Sequence, residues 1–209
     1  MIIQKPKIKN VIDYSFDDAV KENCYSCINI THNDNKIIKI SDITFDSCVF
    51  KNVDFNNIEL TNVSFIDVLF ENCDLSNKKI EYNLIQRVEF NNCKMFGVSF
   101  IGSSIKDVII DNCNAKLINF ADARISKMII KESNLSEMCF QETSIKNLEL
   151  YNVDLRKAEI SKTNLKDVDI STCKIDNMLI DNESLRGVII DRFQSIELVN
   201  MLGVKIKEY

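Results

Sequence analysis

Eight cysteines and one histidine are the residues from which this 209-residue chain could build redox or metal chemistry. Cys24 and Cys27 form a C-x-x-C pair, a spacing used by thiol–disulfide centres and by half of a zinc site. A tetrahedral zinc site takes four ligands, and His32 is the single histidine, so the pair has no second half. One histidine also leaves the chain short of the usual general base. The sequence holds no glycine-rich phosphate loop, no H-E-x-x-H and no recognisable nucleophile setting. Carboxylates recur every few residues, so many pairs are equivalent and none marks a glycosidase-like dyad. The expectation is a protein that is not an enzyme, with no catalytic or metal residues, no cofactor and no small-molecule substrate.

The element that must hold the remaining cysteines explains most of them. Every fifth residue from Ile40 to Ile190 is apolar, at all 31 positions, in a chain that is 45% hydrophobic. A second inward slot lies two residues earlier and is filled by Cys48, Val53, Ile58, Val63, Val68, Cys73, Cys93 and Cys113. Residues two apart on an extended chain share a face, so each unit is a short extended piece with two inward side chains. An α-helix would scatter a five-residue period around all its sides. Asn or Gly is frequent two residues after the large apolar one, as at Asn52, Asn57, Asn72, Gly97, Gly102, Asn112, Asn182 and Gly187, which suits a tight corner.

A longer period of twenty aligns Cys73, Cys93 and Cys113, and aligns Phe50 with Phe70 and Phe90, and Phe100 with Phe120 and Phe140, as core stacks. Four units therefore make one turn of a square coil, with like residues stacked. At about 4.8 Å per coil the regular part is roughly 35 Å long. Cys48, Cys73, Cys93, Cys113 and Cys173 become buried thiols that fill volume. Cys139, just before Phe140, is read as outward and is the best placed for a reactive thiol, with a plain packing role as the alternative.

The expected organisation is one domain over 1–209. An irregular N-terminal coil and loop takes 1–37, where Val11 and Phe16 suggest a first poorly matched repeat. Regular coils fill 38–190, and a capping or dimerisation segment fills 191–209. His32, Asn33, Asp34 and Asn35 are turn-like, and Asn35 falls in a core slot, so a loop is expected there. After Ile190 the five-residue register is lost, and Ile196, Leu198, Val199, Met201 and Leu202 make an apolar helical stripe before Gly203. A solenoid end needs such a cap or a partner, so a homodimer through the C-terminus is expected.

The net charge is −5, from 31 acidic and 26 basic residues. That disfavours direct binding to nucleic-acid phosphates and permits a basic partner surface. The candidate partner-binding carboxylates are Asp54, Glu59, Asp67, Glu71, Asp74, Glu81, Glu89, Glu132, Glu137 and Glu142. No run of 18 apolar residues suggests a membrane span, and Met1 to Asn10 lacks a signal peptide's apolar stretch. The expected setting is cytoplasmic, with reduced thiols.

Segments such as Val53-Asp54-Phe55-Asn56-Asn57, Cys73-Asp74-Leu75-Ser76-Asn77, Val153-Asp154-Leu155-Arg156-Lys157 and Val168-Asp169-Ile170-Ser171-Thr172 resemble the pentapeptide-repeat motif over about three quarters of the chain. The resemblance implies an all-β, right-handed quadrilateral β-helix with a short C-terminal helix. Leu185 to Asp191, Gln194-Ser195, Leu202-Gly203-Val204 and Asp111 to Ala115 resemble the quinolone-resistance (Qnr) subgroup. That likeness implies a head-to-head homodimer and a DNA mimic that binds DNA gyrase or topoisomerase IV and protects it from quinolones. A generic protein-interaction scaffold with another partner is the alternative. Loops project from the coil in that subgroup, and this chain keeps at most the first, around Thr31 to Lys36.

Overall fold

A five-residue unit with two inward side chains cannot bury its own apolar face, so each leans on the unit one coil away. In this computed structural model, which describes residues 1–31, 37–201, 204, 205 and 207, parallel strands align Phe45 with Phe65, Phe65 with Ile85 and Ile105 with Ile125. The register is twenty residues per coil. The molecule is an all-β, right-handed quadrilateral solenoid with a short C-terminal helix.

The chain opens with β1 (Ile12–Asp13), α1 (Phe16–Glu22) and β2 (Ile28–Ile30). Two 14-residue strands follow, β3 (Ile38–Lys51) and β4 (Ile58–Glu71), each running along three sides of its coil. In the next coils β5 (Leu84–Asn91), β6 (Ser104–Asp111), β7 (Arg124–Lys131) and β9 (Ser144–Tyr151) cover two sides. These strands form one eight-stranded parallel sheet with β1 and β2. A three-stranded sheet joins β8 (Cys139–Gln141), β10 (Glu159–Ser161) and β11 (Leu179–Ile180). Elsewhere the sides are tight turns held by single bridges, such as Asp74 to Lys94 and Lys94 to Asn114. One helical turn, α2 (Asn182–Leu185), and then α3 (Gln194–Met201) end the fold.

The interior is filled by rings. Phe70 lies between Phe50 at 5.0 Å and Phe90 at 4.9 Å, both nearly parallel to it. Phe120 stacks on Phe100 at 5.5 Å, whereas Phe140 follows at 5.3 Å tilted by 44°. Near-parallel rings at such centroid distances are a favourable aromatic arrangement when offset, and the rise of the coil sets their spacing.

The corners obey position more than residue type. Left-handed backbone was expected at Asn and Gly, and Asn52, Asn72 and Asn112 adopt it. So do Tyr82 (φ 58), Arg87 (φ 53), Leu117 (φ 61) and Lys127 (φ 64). Each non-glycine costs about 1–2 kcal/mol there, which the ladder bonds on either side offset. Asn57 and Asn182 are exceptions: Asn57 is not among the left-handed residues, and Asn182 starts α2. At Gly102 (φ +65) an added Cβ would lie 2.4 Å from the Tyr82 ring.

The small inward slot does more than fill volume. At two of the four corners its side chain bonds neighbouring coils together. Ser133 Oγ accepts from the Cys113 N–H at 3.0 Å, and Thr163 Oγ1 accepts from the Thr143 N–H at 3.1 Å. Cys113 Sγ takes the Cys93 N–H at 3.3 Å and points its own S–H to the Phe90 carbonyl at 3.4 Å. Where the slot holds Cys, Ser or Thr, the side chain supplies an acceptor to the backbone N–H one coil earlier.

The N-terminus departs from the expected repeat. Phe16 belongs to α1, where Ser15 caps the helix by accepting from the Asp18 N–H at 3.0 Å. Ile12 pairs with Ile28, short of a full coil. Ser15 with Asp17 and Asp18 in the first turn is an ordinary helix-start signal that the five-residue period overshadowed. Among the described residues, no helix is long and apolar enough to cross a membrane.

Candidate protein-interaction surface

Because the interior is filled, the variable part of the molecule is its outer surface, where residues one coil apart become neighbours. Opposite charges meet across that step: Lys39 with Glu59 at 3.0 Å, Lys51 with Glu71 at 3.2 Å, and Asp74 with Lys94 at 3.8 Å. Asp111 meets Lys131 at 2.8 Å and Glu142 meets Lys162 at 2.6 Å. Lys116 reaches Glu137 at 3.1 Å. Asn side chains form the same kind of rung, as where Asn112 donates to Asn92 at 2.6 Å. Exposed pairs contribute little each, but they cancel local field. At these rungs the sign of charge reverses from one coil to the next.

The ten candidate carboxylates are therefore not one stripe. Glu59, Glu71, Asp74, Glu137 and Glu142 sit in the rungs above. Asp54 and Asp74 also accept the N–H two residues on, at 2.8 and 3.0 Å, and so hold their corners. Glu132 accepts from Asn152 at 2.6 Å, and Glu81 accepts from the Ser99 hydroxyl at 2.6 Å. Asp67 and Glu89 depart most from the expected outward placement. Asp67 is buried, at 6% exposure, and holds the Arg87 guanidinium by two bonds of 2.6 Å. That guanidinium holds the Asp67 carboxyl below the usual carboxylate range.

What covers them is the chain's own N-terminus. Residues 1–9 run along this flank against the direction of coil growth. The Met1 amino group lies 2.6 Å from Glu149, and the Ile2 carbonyl accepts from Lys127 at 3.3 Å. The Gln4 N–H donates to Asp107 at 3.1 Å, Lys5 Nζ stands 3.6 Å from Glu89, and the Lys7 N–H donates to Asp67 at 2.8 Å. Sequence reasoning missed this strap because no period relates residues 1–7 to partners 60 to 148 positions further on.

The comparisons with known proteins agree with the geometry. The pentapeptide repeat region family matches residues 38–115 and 64–137. Residues 38–137 of the chain are pentapeptide-repeat sequence. No protein of curated function matches it. HetL, a pentapeptide-repeat protein involved in heterocyst differentiation regulation in the cyanobacterium Nostoc sp. strain PCC 7120, shares 11% identity and a TM-score of 0.59, over 89% of this chain and 92% of its own. A trypsin-treated variant of QnrB1, a plasmid-mediated fluoroquinolone resistance protein, shares 17% identity and a TM-score of 0.39, over 88% of this chain and 99% of its own. The likeness to HetL is one of fold.

The top of this pentapeptide-repeat coil is closed by α3. Gln194 is buried, and its amide donates to the Ile170 and Cys173 carbonyls, each at 2.8 Å, while its oxygen accepts from the Asp191 N–H at 2.9 Å. Leu198 is buried and Met201 packs against the core, but Ile196 is 51% exposed, so the expected stripe splits between two sides. Phe193 is 66% exposed, and Ile189 is exposed as well. Leu202 lies outside the described residues, as do His32, Asn33, Asp34 and Asn35.

The pentapeptide-repeat thiols are free among the described residues. Cys139 is half-buried in a shallow groove with Leu117, Met138 and Leu179. Burial and the nearby Glu159 push its thiol up, away from the thiolate a reactive cysteine needs.

Proposed function

We propose that this chain is a protein-binding rod that engages a type II topoisomerase, DNA gyrase or topoisomerase IV, as a DNA mimic and protects it from quinolones. The observation that carries the binding part is the split between a repeated, filled interior and an outer surface that changes from coil to coil. A rigid rod offering side chains at about 4.8 Å intervals suits recognition of another macromolecule. The topoisomerase part is supported by the Qnr-like segments near the C-terminus, Leu185 to Asp191 with Gln194-Ser195, and by the net charge of −5. The homodimer part is supported by Ile189 in the last coil and Phe193 and Ile196 at the cap, which are large apolar residues left exposed at this end.

One observation favours the second reading, a scaffold for a different protein partner. A duplex mimic needs a continuous acidic field, and the rungs Lys51–Glu71, Asp111–Lys131 and Glu142–Lys162 alternate in sign. Supercoiling by purified bacterial DNA gyrase, with and without a fluoroquinolone, separates the readings as this protein is titrated in. Rescue of supercoiling, lost when Glu59, Glu132 and Glu142 are together changed to Lys, is the expected result. Inhibition without rescue keeps the partner and changes the role. No effect on gyrase or on topoisomerase IV leaves the scaffold reading.

A further inference from the structure

The strap is seated by chemistry that does not depend on its own side chains fitting a pocket. Ile3, Pro6 and Ile8 are only half-buried, and Gln4, Lys5 and Lys7 are exposed. What the flank reads is backbone and charge: the N–H groups of Gln4 and Lys7 on Asp107 and Asp67, and the Lys5 ammonium near Glu89. The register has a physical basis. Gln4 and Lys7 are three positions apart on the strap, and Asp107 and Asp67 are two coils apart. Two coils rise about 9.6 Å, and three residues of polyproline II advance about 9.3 Å while returning each third N–H to the same side. A β-strand, with its period of two, would turn alternate donors away.

Two carboxylate oxygens beneath the strap lack hydrogen-bond partners. Asp107 is 1% exposed, and its Oδ2 is buried without a hydrogen-bond partner. Glu89 Oε1 is buried without one as well, with the Lys5 ammonium 3.6 Å off. A buried carboxylate oxygen left unmatched is costly, so a segment that reached both would outbind the present occupant.

We propose that this flank, where the carboxylates of Asp67, Glu89, Asp107 and Glu149 outnumber the cations Arg87 and Lys127, is a docking groove for an extended, lysine-bearing segment of a partner protein, and that residues 1–9 occupy it in cis until displaced. The proposal does not rest on the topoisomerase reading, and its test contains no topoisomerase. The probe is a fluorescent peptide of residues 1–10, titrated against the full chain and against the full chain carrying Gln4→Pro and Lys7→Pro. Those changes remove the two strap donors without touching the coil. The released chain is expected to bind the peptide, and the unaltered chain at least ~10-fold more weakly, because its own strap competes at an effective concentration on the order of millimolar. Asp107→Asn in the released chain is expected to weaken binding further, with an unchanged circular dichroism melt. A released chain that keeps that melt yet ignores the peptide overturns the proposal. So does equal binding of a peptide that itself carries Gln4→Pro and Lys7→Pro. A dimer by light scattering that the released chain loses would assign the groove to a second copy's strap and overturn the partner reading.

Discussion

The two ends of the coil are closed by opposite means. At the amino-terminal end α1 inserts Phe16, 1% exposed, whose ring stacks on Phe50 at 5.7 Å and meets Phe55 edge-on at 5.7 Å. The plug is a ring that extends the aromatic column. At the carboxy-terminal end the plug is an amide. Gln194 satisfies the carbonyls of Ile170 and Cys173, and Leu198 supplies the apolar contact. The difference follows from what each end exposes. The first full coil presents phenylalanine rings, which need apolar cover. The last coils are built of smaller Leu and Ile with strands β10 and β11 of three and two residues, so loose backbone carbonyls are the larger liability.

The sharpest way to break this contrast is Phe16→Ala, which opens a cavity under Phe50. Urea unfolding followed by circular dichroism should show a loss of about 3–5 kcal/mol. Gln194→Leu keeps the volume and removes the donor, leaving two acceptors bare. A loss of about 1–3 kcal/mol is expected, with faster hydrogen exchange confined to the last coils; exchange spreading to the Phe50 column would deny that the ends are closed independently.

The strap is the element that spans both halves, from Glu149 to Asp67, and it gives the smallest and most pH-sensitive effect. Arg87 depresses the Asp67 carboxyl in the folded protein, so the unfolded chain, near its ordinary value of about 3.9, binds the proton first. The stabilisation is therefore complete above that value and is lost as pH falls through the depressed one. Urea midpoints of the protein should drop below about pH 4 more steeply than those of Asp67→Asn. Equal slopes would mean that the Asp67–Arg87–Lys7 contact contributes nothing to holding the strap.

Much of this was readable in advance. Ile40 to Ile190 at every fifth position, and Phe50 over Phe70 over Phe90, fixed the coil because a repeat too short to bury itself has one way to stack. The charge rungs were also within reach, since Lys51 and Glu71 differ by one coil, but carboxylates weighed as a collective field hide their neighbours. The candidate surface was legible in composition and not in accessibility: Asp67 and Glu89 lie under the strap.

By itself the sequence determined the period, the inward slots, the square coil and the presence of a C-terminal helix, because each rests on spacing that local geometry must obey. The tertiary structure alone decided that Leu117 and Arg87 take left-handed backbone, that Cys113 bonds across coils, that Gln194 caps the last one, and that residues 1–9 cover an acidic flank. Those outcomes depend on which groups the closed coil leaves without a partner, and a hydrogen bond between Gln4 and Asp107 has no trace in local pattern.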